Sequence, residues 1–338
     1  MSRTSTSAPR RRPLTLIALG VTTALTLTAC GGGSGSGDDD SPVANASAAP
    51  KGVVTKEAAK KIVDTYEQVN NRANKTQDEK LLATVEAEQV HEQSRADYKL
   101  MKTKSAKEQK EYRSPFSYTD RTYYLPAAGT ATWFAVKAKT IDSKDDGLLI
   151  FDKVGSAYKM VAALYLDPAI GRIAVDRNGL ATAFDPAKRV GALAPNQLGA
   201  AYEDFFETGG TKAAKQLATT KTTEESVQVY KDRDSGDLSK FATKKFFGQD
   251  PAHPEVYALQ LAGGGVVAVF PTAHTVEKLL KEPYRGSHQI NPNKEEAVFN
   301  STARIIITDE FQGQALAELT PQGKPKVMAL EYRMVDSR

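Results

Sequence analysis

Apolar residues recur along this chain first at helical spacing and then at strand spacing, and the order is run through twice. Ala59, Ile62, Val63, Tyr66 and Val69 lie three or four positions apart and so share one helical face. Thr55, ahead of Lys56-Glu57-Ala58, places a hydroxyl where a helix start needs one. A second helical stretch over residues 78–101 carries Leu81, Leu82, Val85 and Val90. Each helix has one apolar face and requires a sheet or another helix to cover it.

From Phe116 the pattern changes to β. Tyr123-Tyr124-Leu125 leads past Pro126 and Gly129 into residues 130–139, which are rich in β-branched and aromatic side chains. A turn at Asp145-Asp146-Gly147 and another at Gly155-Ser156 separate Leu148–Asp152 from Tyr158–Leu166. Turns this short imply antiparallel pairing. In the second half a helical stretch from Pro195 to Phe206 and mixed structure to about Lys231 precede strands at 256–261, 265–270, 303–308, 314–319 and 326–334. Helices followed by an antiparallel meander define an α+β domain, and two such runs predict two tandem α+β domains.

The two runs keep register. Tyr66-Glu67 matches Tyr202-Glu203, and Leu125, Gly129 and Phe134 match Leu261, Gly265 and Phe270, all at an offset of 136. Lys159-Met160-Val161-Ala162 matches Lys326-Val327-Met328-Ala329 at 167, so the second copy has gained 31 residues before its last strand. The expected organisation is a signal peptide over 1–29, a tether over 30–52, a first domain over 53–168, a connection over 169–192 and a second domain over 193–338, with an inserted loop at about 281–296.

The amino terminus supplies an address. Arg3 and Arg10-Arg11-Arg12 precede an apolar run from Leu14 to Leu27, shorter than the roughly 20 residues a spanning helix needs. Leu27-Thr28-Ala29-Cys30 follows and resembles the lipobox of bacterial lipoproteins. That resemblance implies cleavage before Cys30, lipid on its thiol, and retention on the extracytoplasmic face of the cell membrane. Gly31-Gly32-Gly33-Ser34 through Asp38-Asp39-Asp40 reads as a solvated tether. Cys30 is the sole cysteine, so no internal disulfide exists and buried apolar surface must hold the fold. The signal arginines account for the whole formal charge of +4; the remainder balances 41 basic against 41 acidic residues. A balanced chain argues against a nucleic-acid partner.

Catalytic motifs are sparse. The folded region has no G-x-S-x-G elbow, no phosphate-binding glycine loop, and no close ligand spacing among His91, His253, His274 and His288, so no metal or cofactor is implied. Asp142-Ser143-Lys144-Asp145-Asp146-Gly147 has lysine at a ligand position of a calcium loop and serves better as a turn. His91 is expected at the surface of its helix, and His274 is a candidate to face a cavity of the sheet. Asp120, Glu203 and Asp204 are the carboxylates nearest to an acid–base role, and each reads as a solvated helix or turn residue. No catalytic residue is nominated.

Helices on a curved antiparallel sheet, in tandem behind a lipobox, resemble the nuclear transport factor 2-like fold and lipoproteins of unknown function from actinobacteria. No catalytic residue follows from that resemblance. The function expected is a non-catalytic binding or scaffolding module of the envelope, with an envelope protein or a small apolar ligand as partner; a transporter's solute receptor and an envelope enzyme are the alternatives. The candidate contact residues are Trp133, Tyr284, Arg285 and His288. Trp133 shares a strand face with Ala135, Lys137 and Lys139, opposite Phe134, Val136 and Ala138, and either packs beneath the helices or is offered to a partner. The insertion combines Tyr284, Arg285 and His288 with prolines, the composition of a functional loop, although its polar end also suits a disordered spacer.

Overall fold

The computed structural model describes residues 51–141, 145–166 and 169–338. The signal peptide, Cys30, most of the tether and Asp142–Lys144 lie outside those residues.

Helix α1 (Lys56–Thr76) starts where Thr55 accepts a hydrogen bond from the Ala58 backbone at 3.1 Å, and it buries Ala59, Val63 and Tyr66. The expected second helix is broken in two, α2 (Glu79–Leu82) and α3 (Glu88–Leu100), and a short α4 (Ala106–Tyr112) follows. The break has a cause in pairing: Met160 donates to Val85 O and Ala87 donates to Met160 O, so residues 85–87 lie along a strand instead of continuing the helix. Strands β1 (Tyr118–Tyr124), β2 (Trp133–Thr140), β3 (Asp146–Val154) and β4 (Ala157–Leu166) form an antiparallel meander.

The second half opens with α5 (Leu198–Thr208) and α6 (Lys221–Lys231). Its sheet contains β5 (Ala242–Gly248), β6 (Tyr257–Gln260), β7 (Val266–Leu280), β8 (Ile306–Leu319) and β9 (Lys326–Ser337), ordered β5-β7-β8-β9 with β6 also on β7. β5 was not expected, and the stretches at 303–308 and 314–319 are one strand. β7 runs on through Pro271, which falls between the span paired with β6 and the span paired with β5.

The chain is thus α+β, with helices ahead of each of two antiparallel sheets, and among the described residues no ladder joins them. Their likeness extends to defects. A bulge at Val161 interrupts the β3–β4 pairing and one at Met328 interrupts β8–β9, 167 positions on. Opposite those bulges stand Phe134 and Ala268 on β2 and β7, an offset of 134, so one strand pair is displaced by two residues from the 136 of the sequence match. An even displacement keeps every side chain on its own face.

Both faces of the first sheet are buried. Phe134, Val136 and Ala138 pack with Ala59, Val63 and Tyr66 of α1. Trp133, Ala135, Leu148 and Ile150 face the other way and meet Tyr257, Leu259, Val267 and Val269 of the second sheet. Trp133 is only 9% exposed, and its ring meets that of Tyr257 edge-on at 5.3 Å. It is therefore a core residue between the sheets, neither beneath the helices nor available to a partner, because the second sheet covers the face that sequence alone leaves open.

Helix α3 fastens the halves together. Gln89 donates to Gly313 O at 2.8 Å, Gln93 to Gln312 O at 3.0 Å, Glu92 pairs with His253 at 3.1 Å and Asp97 with Arg333 at 3.2 Å. From the other side Gln314, 3% exposed, donates to Val161 O at 2.7 Å and accepts from Ala163 N, which satisfies backbone groups at the bulge. The connection is packed rather than loose: Ile173 and Ala183 bridge to Leu261 and Leu259, and Ile173 and Ala181 are buried.

Candidate functional site

β5 and β7 pair with Ala242 opposite Leu280 and Lys244 opposite Lys278. Ala242 and Leu280 are buried with Ile290 and Ile307, so this end of the sheet has a small apolar core of its own. Above it lies a cleft of about 550 Å³. One wall is the chain after α6, which winds through two 3-10 turns, Asp232–Asp234 and Asp237–Lys240. The other wall is the insertion between β7 and β8.

The insertion is built structure. It contains a 3-10 turn at Glu282–Tyr284, a bridge between Ile290 and Arg304, and the short helix α7 (Glu296–Phe299). Ile290 anchors it, being 5% exposed. Just ahead of α7, Asn293 Oδ1 accepts from Glu295 N at 2.8 Å and from Glu296 N at 3.0 Å.

Lys278 carries the electrostatics of the floor. Its ammonium is held by Glu296 and by Asp309, the latter at 2.6 Å, and both carboxylates are only 4% exposed at the side chain. Burial works against the charge of Lys278, but Asp309 and Glu296 outweigh it and the net pKa is raised. Lys244 stands beside it without such partners: among the described residues no carboxylate lies within ion-pairing distance of it. Burial, with Lys278 next to it, depresses its pKa despite more distant help from Asp309, Glu296 and Asp232. Like charges directly opposite one another on adjacent strands destabilise a sheet, so this pair persists against a cost.

Of the residues singled out from sequence, His288 lines this cleft and is exposed, as are Phe241 and Leu238 across from it. Tyr284 is half-buried and meets Phe241 at 5.2 Å and His288 at 5.5 Å, forming one rim. Arg285 is turned to its own loop, donating to Leu280 O at 2.8 Å and pairing with Glu282. Trp133 is remote from this site, in the inter-sheet core. Sequence reasoning missed Lys244 and Lys278, since β5 itself was missed and the two lysines meet only through strand pairing.

Two other concentrations of polar groups are sealed inside. Glu203 and Asp204 are 4% and 3% exposed, which corrects their reading as solvated residues. Glu203 pairs with His274 at 3.0 Å, and Phe206, Phe246, Phe311 and Tyr332 surround that ring. Asp204 accepts from the backbones of Lys212 and Ala214, which fixes the turn after α5. Asp120 is exposed, as expected. His91 is half-buried rather than on the surface, and burial lowers its pKa. In the first half Glu86, 2% exposed, accepts from Tyr66 Oη at 2.9 Å and from Asn70 Nδ2 at 2.8 Å.

The described residues thus form two antiparallel sheets, each led by helices, with the cleft lying against β5 and β7 of the second. Residues 50–338 match the family described as Domain of unknown function (DUF8094), and the chain belongs to that family. It is 31% identical over 297 residues to an uncharacterized lipoprotein, SCO6871, of Streptomyces coelicolor, covering 84% of this chain and 82% of that protein. No solved structure matches the chain.

Proposed function

We propose that the protein is a lipoprotein of the cell envelope, cut before Cys30 and held on the extracytoplasmic face of the membrane by lipid on that cysteine. Its halves are of the nuclear transport factor 2-like type, and it acts without catalysis as a binding module whose site is the cleft between β5, β7 and the insertion. The address is supported by the lipobox and by the lipoprotein named among its relatives. The site rests on one observation, the 550 Å³ cleft with an uncompensated lysine on its floor. Against a solute receptor of a transporter, which needs parallel βαβ repeats, stand antiparallel ladders from β1 to β9. Against an envelope enzyme stands the enclosure of Glu203 and His274 behind aromatic rings, out of reach of a substrate.

Two experiments test this reading. Cys30→Ala is expected to abolish lipidation and move the processed protein from the membrane to the soluble fraction; continued membrane association of that processed protein refutes the anchor. A photo-crosslinking residue at Gln289, inside the cleft, is expected to give adducts in intact cells, whereas the same residue at Val175, 51% exposed and outside the cleft, is not. Equal labelling at both positions refutes the site.

A further inference from the structure

We infer that the cleft takes a small organic anion, its charged head against Lys244 and its apolar body against Leu238, Phe241 and Ile290. This rests on the cleft being a binding site and names the chemistry of what fills it.

Charge accounting around the cleft leaves one group unanswered. Both oxygens of Glu296 are occupied, Oε1 by Lys278 and Asn293 Nδ2 and Oε2 by Asn293 N. Lys278 is taken by Glu296 and Asp309. Arg233 lies over the Tyr230 ring at 3.8 Å, donates to Tyr230 O and pairs with Asp234 at 3.3 Å. Lys244 lines the same space, and among the described residues its ammonium has no carboxylate within ion-pairing distance, with the like charge of Lys278 opposite it on the neighbouring strand. A partly buried, unpaired ammonium is costly unless a negative charge arrives to meet it, and Asp309, Glu296 and Asp232 act on it only from a distance.

The walls define the rest of the ligand. Gln289 and Asn291 line one part and offer neutral amide donors, while the hydroxyls of Ser235 and Ser239 there are spent on Asp232 O and Gly236 O and present acceptor oxygens. Leu238 and Phe241, exposed at 39% and 40%, continue to the buried Ile290 and form an apolar side. A bare inorganic anion would leave that side wet, and a neutral hydrocarbon would leave Lys244 unanswered. The volume lies within the roughly 300–1,000 Å³ of small-molecule sites.

The test is calorimetric titration of the full-length lipidated protein in phosphatidylcholine nanodiscs, with empty nanodiscs as the blank. Phenyl phosphate and uncharged benzyl alcohol are the probes. Phenyl phosphate is expected to bind wild type, Lys244→Arg and Lys245→Gln alike and to bind Lys244→Gln at least about tenfold more weakly, the worth of one charge-assisted hydrogen bond. Lys245 is the control because it is exposed and on the opposite face of β5. Displacement of phenyl phosphate by inorganic phosphate, and not by glucose, checks the same requirement without any substitution. Undiminished binding to Lys244→Gln, or benzyl alcohol binding as tightly as phenyl phosphate, overturns the anion and leaves the cleft as a binding site. Silence from both probes overturns anion and cleft together.

Discussion

Replacing Glu86 with glutamine should stabilise the protein, and only above a definite pH. Glu86 is buried beneath α1, where Oε1 takes the Tyr66 and Asn70 bonds. Oε2 is closed off from solvent without a well-formed hydrogen bond, and the Ser94 hydroxyl facing the carboxyl offsets its burial only in part. Burial therefore raises the pKa from 4.5 to about 7. Because the folded value is the higher one, the native state binds the proton more tightly. The cost of ionising Glu86 is absent below pH 4.5, grows between 4.5 and about 7, and is complete above that. At about 1.4 kcal/mol per pKa unit the full cost is on the order of 3 kcal/mol. Glutamine keeps the acceptor at Oε1, carries no charge, and can donate toward Ser94. Urea unfolding of wild type and Glu86→Gln at pH 5, 6, 7 and 8 should give nearly equal stabilities at pH 5 and an advantage for the variant of about 2–3 kcal/mol at pH 8. A difference independent of pH, or a variant weaker at pH 8, would show that Glu86 carries no buried charge whose cost glutamine removes.

Other consequences are simpler to test. Trp133→Ala should cost about 3–5 kcal/mol by thermal or urea unfolding, since it empties the core between the sheets; as the sole tryptophan, Trp133 should also show blue-shifted emission that acrylamide quenches poorly. Ile290→Ala should cost about 2–4 kcal/mol, and replacing residues 283–293 with a Gly/Ser linker should lower the unfolding midpoint, because the insertion is anchored by that side chain. Gly191→Ala should cost about 1–3 kcal/mol, for Gly191 has φ of +63° and an added Cβ would meet backbone oxygens of the Thr320–Gly323 turn. Lys244→Gln should unfold at or slightly above the wild-type midpoint, since it removes a like-charge pair.

Much of the fold was legible because it is written in local spacing. The Thr55 cap, the apolar face of α1 and the short turns of the first sheet all act within a few residues. The alternation along β2 was legible as well, with two apolar faces at Phe134 and Trp133, but which layer covers each face depends on a partner sheet more than a hundred residues away. β5 escaped notice because Lys244 and Lys245 dilute its apolar signal, and the strand expected at 265–270 stopped short of the full β7 because Pro271, Thr272 and His274 interrupt its apolar run. The break at residues 84–87 follows from pairing with Met160, which no helical pattern encodes. The candidate site divides in the same way. The insertion and His288 stood out by length and composition, whereas the Lys244–Lys278 pair exists only through strand register and Glu203–His274 only through the approach of α5 to β7. Arg285 carried a composition suited to contacts, but its loop uses it internally.

The cleft is expected to hold a ligand in the living cell. Native mass spectrometry of the full-length protein, extracted from its own membranes, tests it most directly when wild type is compared with Ser239→Trp, whose added ring would fill the space. A small-molecule mass is expected on wild type and lost from the variant, with both proteins folded. The same adduct on both proteins, or none on wild type, would contradict that expectation.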